Sequence, residues 1–114
     1  MDPIKRDQTN DDMARVLNAV ERLRLLEREI PTQVCSVFLY VASHNPCHKE
    51  AIEEDLEFTT ASCSRNIDWL TDKHRLKKPG LGLIKKKREG RRLMLSLTEK
   101  GQALVHDLYT DLYD

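Results

Sequence analysis

Aromatic residues are scarce in this chain. One Trp, three Tyr and two Phe make up 5% of its 114 residues. That is too few to furnish an evident aromatic cradle for a planar molecule, so no cofactor and no obligatory small ligand is expected. Cysteine is equally sparing. Cys35, Cys47 and Cys63 are odd in number and irregularly spaced, which argues against a disulfide framework and for a reducing, cytoplasmic setting. No apolar run approaches the ~18–20 residues that cross a bilayer. The opening Met1-Asp2-Pro3-Ile4-Lys5-Arg6-Asp7 has no apolar stretch of the signal-peptide kind, and no membrane partner is expected. Catalytic signatures are missing too: there is no Gly-rich phosphate loop, no His-Glu-x-x-His and no nucleophile-elbow serine. An enzyme is therefore not expected. His44-Asn45-Pro46-Cys47-His48 crowds two His and a Cys together. A stable zinc site needs three or four ligands, and no second pair stands at a usable spacing, so the segment reads as a polar turn and not as a metal site.

Net charge is also missing, with 19 basic and 19 acidic residues. A zero total weighs against a polyanion partner, but it hides a polarity. Residues 1–60 hold seven Lys/Arg against twelve Asp/Glu, and residues 61–114 hold twelve against seven. Within 65–92 the count is eleven against three. One region is thus suited to a polyanion, and another to solvent or a partner.

What is present is mostly aliphatic and recurs at helical spacing. Residues 1–10 are polar and expected to be a flexible N-terminus, leaving 11–114 as one domain. Asn10 or Asp11 is placed to cap a first helix over 11–30, with a stripe of Met13, Val16, Leu17, Val20, Leu23, Leu26 and Ile30. Pro31 ends it or starts the next helix. Residues 32–43 are apolar on most sides and predict a central buried helix, ended by Asn45-Pro46. Residues 49–57 read as a short acidic helix. Thr59 or Thr60 then caps a helix whose inward side carries Cys63, Ile67 and Leu70, with Ala61, Ser62, Arg65, Asp68, Trp69 and Asp72 on the other. Residues 76–82 read as a basic loop, and a last helix over 98–113 carries Ala103, Leu104, Leu108, Tyr109 and Leu112.

Residues 83–98 are the most informative stretch. Two apolar runs flank a cationic, Gly-containing turn, and the second run alternates Leu93, Leu95 and Leu97 with Arg92, Met94 and Ser96. That is a β-hairpin pattern. Lys85, Lys86, Lys87, Arg88, Arg91 and Arg92 stand there against Glu89 alone. Like charges gathered at a hairpin tip repel one another unless a polyanion neutralises them. The fold class is therefore mainly α with a small β-hairpin (α+β). Two short helices joined through Glu57-Phe58-Thr59 and followed by a basic hairpin make a winged helix-turn-helix.

Three pieces of the chain resemble MarR-type winged-helix transcriptional regulators. The first is Phe58-Thr59-Thr60-Ala61-Ser62-Cys63-Ser64-Arg65-Asn66-Ile67-Asp68-Trp69-Leu70, laid out like that family's recognition helix. The second is Gly82-Leu83-Ile84, the entry into the wing. The third is Glu89-Gly90-Arg91 followed by Leu97-Thr98-Glu99-Lys100-Gly101, similar to the family's Asp-x-Arg, strand, Leu-Thr-x-x-Gly pattern. The likeness covers about residues 11–113. Glu89 departs from the usual Asp, residues 74–81 are longer than the family's link, and the C-terminal part is short.

The resemblance implies sequence-specific binding of double-stranded DNA, with helix 59–73 in the major groove and the basic wing 84–97 on phosphates and the minor groove. The DNA-contact candidates are Thr59, Thr60, Ala61, Ser62, Ser64, Arg65 and Trp69 on the helix. On the wing they are Lys85, Lys86, Lys87, Arg88, Arg91 and Arg92, with Lys77 and Lys78 as a second clamp. About three of the wing cations are expected to engage, since alternate strand residues point apart. Family resemblance gives Arg91 the wing-tip contact and Glu89 the part of fixing its rotamer; an exposed salt bridge within the hairpin accounts for the same pair. Asp68 and Asp72 would repel phosphate and are read as orienting Arg65 or Lys73. The apolar stripes of 11–30 and 98–113 imply a homodimer, with Leu17, Val20, Leu23, Leu104, Leu108 and Leu112 at its interface; the same stripes also suit packing within one chain. The alternative function is a winged-helix protein-interaction module, an accessory factor of a transcription or replication complex such as a phage or plasmid encodes, that docks on its partner through the acidic 50–57 face or the terminal helices. Neutralising the wing would abolish the first function and spare the second.

Overall fold

The computed structural model describes residues 6–72 and 79–114. Lys77 and Lys78 lie outside the described residues. The first helix, α1 (Asp11–Leu26), starts where Asn10 Oδ1 accepts the Met13 backbone N–H at 3.1 Å. Asp11 and Asp12 in its first turn and Arg24 in its last suit the helix dipole. It ends four residues short of the expected Ile30. Pro31 disfavours helical backbone at the residue before it and becomes the N-cap of α2 (Thr32–Ser43). Val34, Val37, Phe38 and Val41 of α2 are buried, as its composition predicts, although Leu39 is exposed.

A two-residue strand follows, β1 (Cys47–His48), then α3 (Lys49–Leu56). His48 Nδ1 accepts the Ala51 N–H at 3.2 Å and caps α3. Glu57 takes the left-handed conformation, φ +57°, and turns the chain into α4 (Thr60–Leu70), which Thr59 caps. Then come β2 (Ile84–Glu89), β3 (Arg92–Leu97) and α5 (Glu99–Tyr113), capped by Thr98. The sheet is antiparallel in the order β1-β3-β2. Ile84 pairs with Leu97, Lys86 with Leu95 and Glu89 with Arg92, while Cys47 pairs with Leu95. The sequence reading made 44–48 a turn; the structure makes part of it the third strand. Asn45 Oδ1 extends that edge by accepting the Leu97 N–H at 3.1 Å.

The core lies between α2, α3, α4 and the sheet, where Phe38, Ile52, Ile67, Leu70, Leu83, Ile84 and Leu95 are all but fully buried. Each such side chain stabilises the fold by roughly 1.5–3 kcal/mol of apolar burial. The hinge between sheet and last helix depends on one glycine. A Cβ on Gly101 would sit 2.1 Å from the Leu83 carbonyl oxygen, so α5 can start against the root of β2 only without a side chain there.

α1 and α5 pack on each other within the chain. Arg22 Nη2 donates to Asp111 Oδ1 at 2.9 Å and Arg22 Nε to Asp111 Oδ2, a two-pronged pair. This corrects part of the interface expectation. Leu23, Leu104 and Leu108 are buried in the chain's own core, together with Ala14 and Ala19. The inward face of α1 is built on alanines that let the helices close up, a face that a search for large apolar residues does not see. Met13, Val16, Leu17 and Val20 face outward and are exposed, and Leu112 is partly buried. Among the described residues, no helix is long and apolar enough to cross a membrane.

Candidate nucleic-acid interface

The wing turns over two residues. Glu89 and Arg92 are paired across it, and Gly90 between them has φ +61° while Arg91 stays in the ordinary negative range. Gly at the first central position is the type II′ arrangement, whose twist matches that of the flanking strands. Register then decides which cations share a face. Lys86 and Arg88 lie on the side of Ile84, Leu95 and Leu93, toward the helices. Lys85 and Lys87 lie on the other, opposite Ser96 and Met94. The five strand cations therefore split into two faces, Arg92 falling with Lys85 and Lys87, and Arg91 stands in the turn between the strands.

Several of them are engaged. Lys86 Nζ stands 3.7 Å from Asp68 Oδ1, tying the wing strand to α4. Asp68 was expected to orient Arg65 or Lys73; Lys73 lies outside the described residues, and the pairing of Asp68 with Lys86 follows from the strand face that Lys86 occupies. Lys87 Nζ stands 3.9 Å from Glu89 Oε1, both exposed, and such a pair is worth at most about 1 kcal/mol. Glu89 was expected to fix Arg91. Glu89 instead shares a strand face with Lys87, and Arg91 sits in the turn where no strand register holds it opposite Glu89. Arg88 Nη1 donates to the Arg91 carbonyl at 3.4 Å. Among the described residues, no acidic side chain pairs with Arg65, Arg91 or Arg92.

Thr59, Thr60, Ala61 and Arg65 are exposed on α4 and the turn before it, and Ser62 and Ser64 are half-buried. Trp69 departs from expectation: it is partly buried and packs against the core. The indole is mostly apolar surface, and near the end of α4 the core is within its reach. Asn66, which the sequence reading did not single out, is buried, its Nδ2 donating to Gln33 Oε1 at 3.2 Å.

A groove of about 330 Å³ runs between α3, α4 and the wing tip. Lys49, Glu50 and Glu53 of α3, Thr60 and Ser64 of α4, and Arg88, Arg91 and Leu93 of the wing line it. Lys49 was also missed in the sequence. Its Nζ reaches Glu53 Oε2 at 3.2 Å and donates to the Thr60 carbonyl at 3.2 Å. The Thr60 hydroxyl, followed by Lys49, holds the Glu53 carboxyl below its ordinary value of 4.5. The ionic pattern of α3 was visible; that α3 and α4 meet through Lys49, Glu53 and Thr60 depends on the angle of the turn.

The thiols are poorly placed for chemistry. Burial pushes Cys63 up to about 11 and raises Cys47 and Cys35, so the reactive thiolate is disfavoured at all three. Cys47 is buried although it stands on the edge strand β1. A second groove, about 230 Å³, lies between α2 and α5 and is lined by Leu39, Ala42, Val105, Leu112, Tyr109 and Tyr113. The few aromatics are thus more clustered than the composition led one to expect. Among the described residues, no three His, Cys, Asp or Glu side chains gather in a way that would hold a metal.

No family model and no curated protein matches the chain. Solved structures do. A MarR transcriptional regulator from Methanosarcina mazei Go1 superposes with TM-score 0.64 at 18% identity, over 83% of this chain and 58% of that one. Overoxidized AbfR bound to DNA gives 0.62 at 18% identity, over 88% and 70%. RV1404 from Mycobacterium tuberculosis gives 0.67 at 16%, over 96% and 78%. The chain spans little more than half the length of the first of these. At such identities the likeness is one of fold, and the fold of this chain is the winged helix that these structures share.

Proposed function

We propose that the chain is a transcriptional regulator that binds double-stranded DNA as a homodimer. The observation that carries the reading is the groove that the first turns of α4 and the wing-tip arginines Arg88 and Arg91 line together. Helix residues supply base contacts there, and the arginines supply phosphate or minor-groove contacts. Lys85 and Arg92 extend the cationic surface along the wing. That AbfR was solved bound to DNA supports the same use of the fold. The exposed apolar side chains Met13, Val16, Leu17 and Val20 support a second copy along α1. A two-fold dimer would read half-sites about 10–10.5 base pairs, or a multiple, apart.

Fluorescence anisotropy on mixed-sequence duplex DNA across a salt series tests the reading. Affinity is expected to fall steeply with salt, and an Arg88→Ala, Arg91→Ala variant to lower the slope by about two phosphate contacts' worth. Binding that is absent at low salt, or indifferent to both substitutions, would overturn it and favour a protein-docking module.

A further inference from the structure

The hydroxyl groups at the start of α4 do not send their protons the same way. Thr60 Oγ1 stands 2.7 Å from Glu53 Oε1. A carboxylate is acceptor-only, so the proton in that contact is the threonine's. Ser62 Oγ stands 3.3 Å from Gln33 Oε1, the oxygen that also accepts from the buried Asn66 amide. With the Gln33 oxygen facing α4 and accepting from Asn66, the Ser62 proton is directed to the same oxygen. Thr59 is the converse. Its Oγ1 accepts the Ser62 backbone N–H at 3.1 Å, so one of its two lone pairs is used and its proton is not.

We propose that Thr60 and Ser62 meet DNA as acceptors only and select adenine or cytosine on the strand they face, the two bases that carry a major-groove amino group, against guanine and thymine, while the Thr59 hydroxyl donates to a phosphate. This rests on the DNA-binding reading above. Serine and threonine ordinarily bond either phosphate or any base edge. Here the choice is narrowed by the neighbours. A phosphate oxygen only accepts, so a hydroxyl whose proton is already held gains nothing from it. The major-groove donors are adenine N6 and cytosine N4. They bring an N–H to the free lone pairs of Thr60 and Ser62, and at Thr60 the Glu53 charge favours it. Gln33 and Glu53 are positioning residues: they touch no DNA in this scheme and act by fixing the direction of a proton.

The test is selection of the full-length protein on a randomised duplex pool, with sequencing, for the wild type, Thr60→Val, Ser62→Ala and Gln33→Leu. The wild type is expected to enrich adenine or cytosine at two positions in each half-site. Thr60→Val and Ser62→Ala should each erase one of these preferences, with an affinity loss on the best site of about fivefold to tenfold and an unchanged salt slope. Gln33→Leu frees the Ser62 proton and should admit guanine or thymine at the position Ser62 reads, a widening that a merely structural role would not produce. Preferences that survive Thr60→Val and Ser62→Ala would overturn the proposal. So would a loss uniform over all sequences with a shallower salt slope, which marks a phosphate contact. If the wild type shows no salt-dependent binding to any pool, the DNA reading itself fails, a result distinct from either.

Discussion

Glu57 carries a backbone conformation that suits another residue. At φ +57° a side chain crowds the following carbonyl, which costs roughly 1–2 kcal/mol outside glycine. Glu57→Gly is therefore expected to raise stability by about 0.5–1 kcal/mol, after the extra freedom of glycine in the unfolded chain is discounted; urea denaturation followed by circular dichroism would show it. Gly101 is the opposite case. Its Cβ would meet a backbone oxygen at 2.1 Å, an atom that cannot swing away, so Gly101→Ala should cost more than ~2 kcal/mol by the same measurement. A smaller loss would mean that α5 can start farther from Leu83. The Leu-Thr-x-x-Gly pattern that contains Gly101 was plain in the sequence. The reason for it was not, because the pattern does not say which backbone the glycine lies against.

At the scale of elements, α3 and α4 are joined by a clasp of Lys49, Glu53 and Thr60. Glu53 is the titrating member, and its pKa is lowered on folding. The stability that it contributes is fully present above its unfolded value near 4.5 and is lost as pH falls through the lower folded value. Melting temperatures of the wild type and Glu53→Gln should thus differ most at neutral pH and converge in acid; a constant gap would mean that the charge is not what the clasp uses. The elements were legible in the sequence where one pattern dominates. Val34, Val37 and Val41 mark the inner face of α2, Cys63, Ile67 and Leu70 that of α4, and the Leu93-Leu95-Leu97 alternation marks β3. Cap chemistry bracketed two helix starts, at Asn10 or Asp11 and at Thr59 or Thr60, and the structure places the caps at Asn10 and Thr59. β1 was not legible, because two residues make no alternation and its pairing partner, Leu95, lies 48 positions further on. The site was legible as a list of cations and hydroxyls. Which of them pair, Lys86 with Asp68 and Glu89 with Lys87, is set by strand register and the approach of α4 to the sheet, and neither is written in local sequence.

The whole molecule is elongated, 52 × 28 × 26 Å, with a radius of gyration of 15.1 Å against about 13 Å for a compact chain of this length. Long shape and outward apolar residues on α1 belong together, since an extended helical pair shows more of its surface. Leu17→Glu with Val20→Glu should give a folded monomer by sedimentation, because both side chains are exposed. Leu23→Ala should instead destabilise the fold by about 2–5 kcal/mol. A Leu17, Val20 variant that still sediments as a dimer would place the interface elsewhere. The root of the wing has a further consequence. The Leu83 N–H donates to the Leu70 carbonyl at 2.7 Å, and its own carbonyl accepts the Thr98 N–H at 3.0 Å, so one residue is held to the end of α4 on one side and to the start of α5 on the other. The hairpin behaves as a cantilever, rigid where it leaves the body and free to flex over its last rungs. Amide exchange should be slow at Leu83 and fast from Arg88 to Arg91, and a duplex that captures the tip would pull against a fixed base.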